Sequence, residues 1–414
     1  MSLRWLAWVI LPFGMLAARA EDPSKELAPP VKINAGGKAI EAPSPVAPFY
    51  GDFKGDGVQS LLVGGGDGKL RVYRNQATGT GNEHRFDNFT TFLEGKAGGG
   101  VPGSGDAGFT PLLATQGQTT DLFSGSSTGE LFIFRSKGKG TYAAGEHLKD
   151  KDGKTIHIAG ASTVFPFDWR GTGKRDLIVG AIDGCVYLVP NDGKESQDSY
   201  GRPKKMEVDG KAIKVPLGHS HPVVADWDKD GKPDLIVGTG AGSVLWYRNI
   251  TTGGEPRLAA AQTLVHESLL ASNKDAVLKD GQWGLLARVC VVDWNGDGRL
   301  DLLVGDTVAF KPPLTDAEKA AEKKARADYA RAEKDYNAAM QKYRALEKPP
   351  AKETAKALAQ REKEMQELKT STAKYQKEMQ DLEKQIAREQ QPVLYHGHIW
   401  LFLRKASGTA SKDS

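Results

Sequence analysis

The stretch Asp226-Trp227-Asp228-Lys229-Asp230-Gly231-Lys232-Pro233-Asp234-Leu235-Ile236-Val237-Gly238 decides the fold of this chain. An apolar run, Pro222-Val223-Val224-Ala225, stands before it, and a Gly-led aromatic run, Gly242 to Arg248, follows. Short apolar runs separated by Gly- and Asp-rich turns are the pattern of antiparallel strands. Within the first turn, carboxylates recur at positions one, three, five and nine. Gly231 permits the sharp bend between them.

The phrase repeats along the chain, and a repeat is read before any local element. Val289-Cys290-Val291-Val292-Asp293-Trp294 leads into Asp301-Leu302-Leu303-Val304-Gly305. Phe165-Pro166-Phe167-Asp168-Trp169 leads into Asp176-Leu177-Ile178-Val179-Gly180, and Phe49-Tyr50-Gly51-Asp52-Phe53 into Leu61-Leu62-Val63-Gly64. A weaker copy joins Pro111-Leu112-Leu113-Ala114 to Asp121-Leu122-Phe123-Ser124-Gly125. Counted from Asp52, Ala114, Asp168, Asp226 and Asp293, the copies are 62, 54, 58 and 67 residues apart. That spacing suits a four-stranded propeller blade, and five copies predict five blades over residues 49–310. Asp152-Gly153-Lys154-Thr155-Ile156 and Asp209-Gly210-Lys211-Ala212-Ile213 are read as recurring fourth strands. A related phrase, Gly36 to Ile40, stands near the start.

The last copy resumes only at Gly397-His398-Ile399-Trp400-Leu401-Phe402-Leu403-Arg404 (within 392–404), a third strand with no fourth behind it. The leader over 21–48, through Val31 to Ile40, is expected to supply that strand and so remove an exposed edge. Between these parts, residues 314–391 change character, with no glycine from Lys311 to Tyr395. Thr315 and Glu318 form a capping box. Tyr329, Tyr336 and Tyr343 recur every seven residues, with Ala332, Ala339 and Leu346 each three further on. Leu358, Met365, Met379 and Ile386 make a second set with Leu368, Tyr375 and Leu382. Thr372 interrupts that seam. These are a/d seams of an antiparallel coiled-coil hairpin, bent at Pro349-Pro350. The fold class is therefore all-β, a five-bladed propeller closed by its terminal strands, with an inserted helical hairpin.

Hard oxygen donors in this number suit calcium. The expected ligands are Asp226, Asp228, Asp230, Lys232 through its carbonyl, and Asp234. A second set is Asp293, Asn295, Asp297, Arg299 through its carbonyl, and Asp301. An EF-hand would need a bidentate glutamate at position twelve and helices on both sides; Val237 and Val304 stand there, between strands. The other turns are worn: Asp52 is followed by Lys54, Asp56 and Ser60, Asp168 by Arg170, Thr172 and Asp176, and Ala114 by Gln116 and Gln118. Arg170 is a candidate for supplying positive charge internally.

With these residues in view, the chain resembles the FG-GAP or VCBS-type repeats of integrin α-subunit propellers and bacterial surface proteins. The resemblance covers roughly residues 31–310 and 392–404. It implies a loop between the first two strands of a blade in which calcium stiffens the propeller. Such propellers usually have seven blades, so five is a departure.

Composition agrees with an exported array. Glycine, at 48 of 414 residues, is well above the usual share of about 7%. The net charge of +4 is small and spread out, which gives no electrostatic footprint for nucleic acid. Residues 1–20 read as an export signal, with Arg4, an apolar stretch from Trp5 to Leu16 and a cleavage site at Ala18-Arg19-Ala20. A secreted, periplasmic or cell-surface location without a membrane span follows as the expectation. Residues 405–414 read as a disordered tail. Cys185 and Cys290 fall in different copies and are read as buried free thiols.

Two classes of function are open at this point. One is a non-enzymatic scaffold whose helical arm or propeller face binds a protein or glycan partner, or whose hairpin self-associates. The other is a lectin, or a polysaccharide lyase or hydrolase, using residues such as His157, His219, His221, His396 and His398. Trp169, Trp227 and Trp294 share one register position, which favours packing over sugar stacking.

Overall fold

The computed structural model describes residues 23–77, 84–93, 110–116, 119–160, 163–194, 198–253, 256–274, 278–279, 281–310, 315–348, 352–389 and 394–406. The expected export signal, Gln118, the proline pair and most of the expected tail lie outside them. The chain divides into two compact units, 309–394 and the remainder.

The larger unit is built from small antiparallel sheets. The first holds Ala47–Gly51, Ser60–Gly64, Leu70–Arg74 and Thr90–Leu93, paired in chain order. The second holds Leu112–Gln116, Thr119–Gly125, Leu131–Phe134 and Glu146–His147. Thr163–Phe167, Asp176–Gly180, Val186–Val189 and Lys204–Lys205 make the third; His221–Ala225, Asp234–Gly238, Val244–Tyr247 and Gln262–Val265 make the fourth. In the fifth, Leu285–Val292, Asp301–Phe310 and Leu394–Phe402 are joined by the leader. Val31 pairs with Leu401 and Lys32 with Trp400, while Glu41–Pro43 pairs with the same strand lower down.

Apolar clusters lie between successive sheets. Phe53, Leu62 and Leu70 meet Leu122 and Phe132 between the first and second. Leu112 and Phe123 meet Leu177 and Val179 between the second and third, and Trp169 and Ile178 meet Leu235 and Val237 between the third and fourth. Trp227 and Ile236 meet Val289 and Leu302 between the fourth and fifth. The fifth sheet meets the first through Cys290, Leu303 and Ile399 against Leu61, Val63 and Tyr73. The glycine ending each Asp-Leu-x-Val-Gly strand is required at these contacts. A Cβ at Gly180, Gly238 or Gly305 would lie 2.1, 2.2 or 1.9 Å from the carbonyl oxygen of Ser220, Ala287 or Val46 on the next sheet.

The Asp-Gly-Lys phrases correct one expectation. They are not fourth strands but turns that follow them: Glu207–Val208 and Lys211–Ala212 form a separate hairpin around Asp209-Gly210. Asp209 and Gly210 take the left-handed conformation that a two-residue hairpin turn demands. The arms then return to the third strand. Met206 N–H donates to Val186 and Ile213 N–H to Met206, at 2.8 and 2.9 Å. Leu148 and Ile156 repeat that pattern on Leu131 in the second sheet, and Ile33 and Ile40 repeat it on Ile399 in the fifth. The leader thus occupies in the fifth sheet the place that residues just before the next copy occupy elsewhere.

The smaller unit contains two helices, Asp316–Leu346 and Ala355–Glu389, packed as an antiparallel hairpin. Tyr329 donates to Glu383 near one end, and Arg361 donates to the Leu346 carbonyl near the other. The Thr315–Glu318 capping box is present. Ala325, Ala332 and Ala339 are the buried seam of the first helix. On the second, Thr372 is buried on the seam, its hydroxyl bonded to the Lys369 carbonyl, whereas Leu358 is 39% exposed. The seam therefore starts after Leu358, near Arg361, which closes that end by its bonds to Leu346 and Glu353.

Candidate metal centre

The loops of the fourth and fifth sheets are built alike, bond for bond. Each crosses from the first strand to the second and turns on a glycine with positive φ, Gly231 at 84° and Gly298 at 82°. Asp226 accepts the Gly231 N–H at 3.0 Å, and Asp293 accepts the Gly298 N–H at 2.9 Å. Asp228 and Asn295 each accept from the residue two places on, Asp230 and Asp297, at 3.3 and 3.1 Å. Asp230 and Asp297 accept the N–H of Lys232 and Arg299 at 3.0 and 2.8 Å. Asp226, Asp228 and Asp234 bring carboxylate oxygens within 4.8 Å of one another.

One atom in each loop is left over. Asp226 Oδ1 and Asp293 Oδ1 are buried and have no hydrogen-bond partner among the described residues. A buried acceptor without a donor is costly, and these two oxygens are the ones their loops leave unmatched among the described residues. The worn loops differ at this very atom. Asp52 takes N–H bonds on both oxygens, from Gly55 and Asp56 on one and Gly57 on the other. Asp168 likewise takes Thr172 on one and Gly173 on the other. With both oxygens satisfied by backbone, those turns have no orphan acceptor for a cation.

In the third sheet a guanidinium lies in the loop. Arg170 Nε and Nη2 donate to the wholly buried Asp176 at 3.1 and 2.9 Å, and Nη2 also reaches the Asn191 carbonyl. The guanidinium expected at the third position thus neutralises the carboxylate at the ninth.

That ninth carboxylate has a second role that the spacing does not reveal. Asp234 accepts Trp227 N–H on one oxygen and Asn249 N–H on the other, at 3.1 and 2.7 Å. Asp301 does the same with Trp294 and Arg404, at 3.0 and 2.7 Å. Asp176 takes Asn191, and Asp121 takes Ser136, although neither of their turns keeps the acidic set. The residue is a clasp from the first loop to the end of the third strand. Its persistence at Asp121, behind a loop of glutamines, is the sequence signal for that role. Desolvation raises the Asp234 and Asp301 carboxyls above their ordinary range, against the pull of those N–H bonds. Asp297 shifts the other way, held down first by the Arg299 N–H.

Basic groups crowd the rims. Arg248 is ion-paired with Asp228 and Asp230, and Arg299 with Asp297. Lys229 donates to the Gly298 carbonyl, so the fourth loop touches the fifth. Arg404 adds a second tie: its backbone reaches Asp301, while its guanidinium lies 4.6 Å from the Trp227 ring centroid.

The other flagged residues are occupied elsewhere. Trp169, Trp227 and Trp294 are buried in the clusters between sheets, which takes them out of reach of a sugar. His221 is buried, and its Nδ1 accepts the Val289 N–H at 3.2 Å. His396 pairs with Glu41, and His398 lies 5.4 Å from it, ring to ring. Cys185 and Cys290 are buried and free; burial pushes the Cys290 thiol up to about 12.

A loop of this build, between the first two strands of a small sheet, defines a class of repeat. Residues 226–304, which contain both loops, match the FG-GAP-like repeat. No curated protein sequence matches the chain. Among solved structures, a triple arginine-to-alanine mutant of AofleA from Arthrobotrys oligospora is similar at 15% identity, over 67% of this chain and 68% of that chain, with a TM-score of 0.36.

Proposed function

We propose that this protein is an exported, non-enzymatic scaffold: a five-bladed β-propeller whose fourth and fifth blades each hold calcium, and whose helical arm or a propeller face binds a protein or glycan. The observation that carries the reading is the pair of orphaned buried oxygens, Asp226 Oδ1 and Asp293 Oδ1, in the two loops with the fullest oxygen sets. Calcium there would offset the mutual repulsion of the acidic groups and bind the turn together. Asp226, Asp228, Asp230 and Asp234 would hold one ion; Asp293, Asn295, Asp297 and Asp301 the other, with the Lys232 and Arg299 carbonyls as further donors.

Five blades are supported by the apolar clusters, which run from each sheet to the next and from the fifth back to the first. Export is supported by the charged, apolar and small-residue order of residues 1–20. The non-enzymatic reading is supported by His221 and the three loop tryptophans, all buried among backbone and core.

Calorimetric titration of the chelated full chain with calcium tests the centre: two sites are expected. Failure to bind, or binding unchanged in Asp226→Asn and Asp293→Asn together, would overturn it. Deleting residues 314–391 separates the two partner surfaces, since capture through the arm is lost and capture through a blade face is kept. Turnover of a polysaccharide by the purified chain would sink the scaffold reading.

A further inference from the structure

Three side chains meet where the leader joins the fifth sheet, and their chemistry differs from that of the acidic loops. His396 and His398 stand two apart on the strand Leu394–Phe402, which puts both on one face of it. Glu41, in the leader strand Glu41–Pro43, lies directly opposite His398. Its carboxylate contacts His396 Nδ1. The two imidazole centres are 5.4 Å apart, with the ring planes inclined at 69°.

The cluster is open to solvent, since the His396 side chain is 23% exposed and that of Glu41 50%. Its backbone, by contrast, is held firmly. Asp306, itself buried, accepts the His398 N–H at 2.7 Å and the Trp400 Nε1–H at 2.8 Å. Between the histidines, a Cβ on Gly397 would lie 1.8 Å from the Asp306 carbonyl oxygen. Both rings are thus carried on a strand fixed closely against its neighbour.

Two imidazoles that share one tetrahedral zinc, each nitrogen about 2.0–2.1 Å from the metal, stand about 5 Å apart between ring centres. The observed separation falls there. Asp306, Lys32, Glu41 and His396 are the charged and titratable groups that face His398. Two carboxylates against one ammonium favour a cation at neutral pH. Burial holds the His398 ring below its ordinary pKa, in the neutral form that a metal requires. Imidazole donors select zinc over calcium, which takes oxygen. We propose that His396 and His398 bind a zinc ion through one ring nitrogen each, with water completing the shell. Glu41 is a positioning residue: by accepting from His396 Nδ1–H it directs Nε2 to the metal, as carboxylates behind zinc-bound histidines do. Because Glu41 comes from the leader, an ion here would also tighten the hold of the leader on this strand.

The probe is zinc chloride, titrated calorimetrically into the full chain at neutral pH, with calcium in excess to keep zinc from the acidic loops. One saturable event is expected for the wild type. His396→Gln and His398→Gln should each weaken it at least about tenfold, and Glu41→Gln by about 10–100-fold. No binding by the wild type, or binding that survives with both histidines replaced, would overturn the site. Equal affinity in Glu41→Gln would reject the positioning role. Crystals of the full wild-type chain soaked in zinc give a reading that needs no variant. An anomalous peak between the two rings supports the site; zinc at the acidic loops alone, or nowhere, sinks it.

Discussion

Asp226 turns one carboxylate oxygen to the Gly231 N–H and keeps the other buried without a donor, while Asp234, eight residues on, has an N–H on each oxygen. Their substitutions should therefore behave differently. Asp226→Asn keeps the acceptor for Gly231 and removes the charge, so it should cost little stability in chelator and abolish one of the two proposed calcium sites. Asp234→Ala strands the Trp227 and Asn249 N–H groups in the interior, at about 1–3 kcal/mol each. That loss should show in urea unfolding with calcium and without it. If Asp226→Asn costs as much stability in chelator as Asp234→Ala, the division of roles is wrong. His221 sets a pH dependence of its own. Its pKa is held well below 6.5 by burial and by Arg288, so in acid the unfolded chain takes up a proton that the fold refuses. Above 6.5 both states are neutral and the residue contributes nothing. Below it, stability should fall with pH by up to about 1.4 kcal/mol per unit. Urea unfolding between pH 7.5 and 5 checks the slope, which His221→Gln should flatten.

Single elements show where sequence reading succeeds and where it stops. The strands on either side of each acidic turn, the capping box at Thr315 and the fourth strand drawn from the leader were legible, because apolar alternation, caps and repeats are local signals. The Asp-Gly-Lys turns were misplaced by one element, since a two-residue hairpin and a fourth strand share the same short apolar pattern. The clasp at Asp234 and Asp301 was hidden because its partners, Asn249 and Arg404, lie 15 and 103 residues away. Arg170 falls between these cases: its charge was readable in the third loop, its target was not. With Arg170 on one side and a wholly buried Asp176 on the other, Arg170→Ala would leave an uncompensated carboxylate. A loss of about 3 kcal/mol is expected in urea unfolding. Adding Asp176→Asn to that variant should recover part of it, and no recovery would mean that packing, not charge, holds the loop.

At the scale of the molecule, the leader matters more than its composition promises. Residues 31–43 bring Ile33, Ile40 and Ala42 into the cluster shared by the fifth and first sheets, with Leu303, Ile399 and Leu401. They also pair with both ends of the strand Leu394–Phe402. Arg404 is bound to Glu26 at 2.8 Å, so the residues that follow this strand are held by the same segment. A chain begun at Ser44 would expose that strand as an edge and uncover the cluster. Losing the burial that Ile33, Ile40 and Ala42 contribute to that cluster costs about 5 kcal/mol, a large fraction of ordinary domain stability. Such a chain should unfold at much lower urea and associate through the open edge, as edge strands do. Supplying residues 23–43 as a separate peptide should restore the urea midpoint, because the pairing surface of Leu394–Phe402 is left intact. Restoration by a peptide in which Ile33 and Ile40 are both aspartate would show that backbone pairing suffices and that the shared cluster does not close the array.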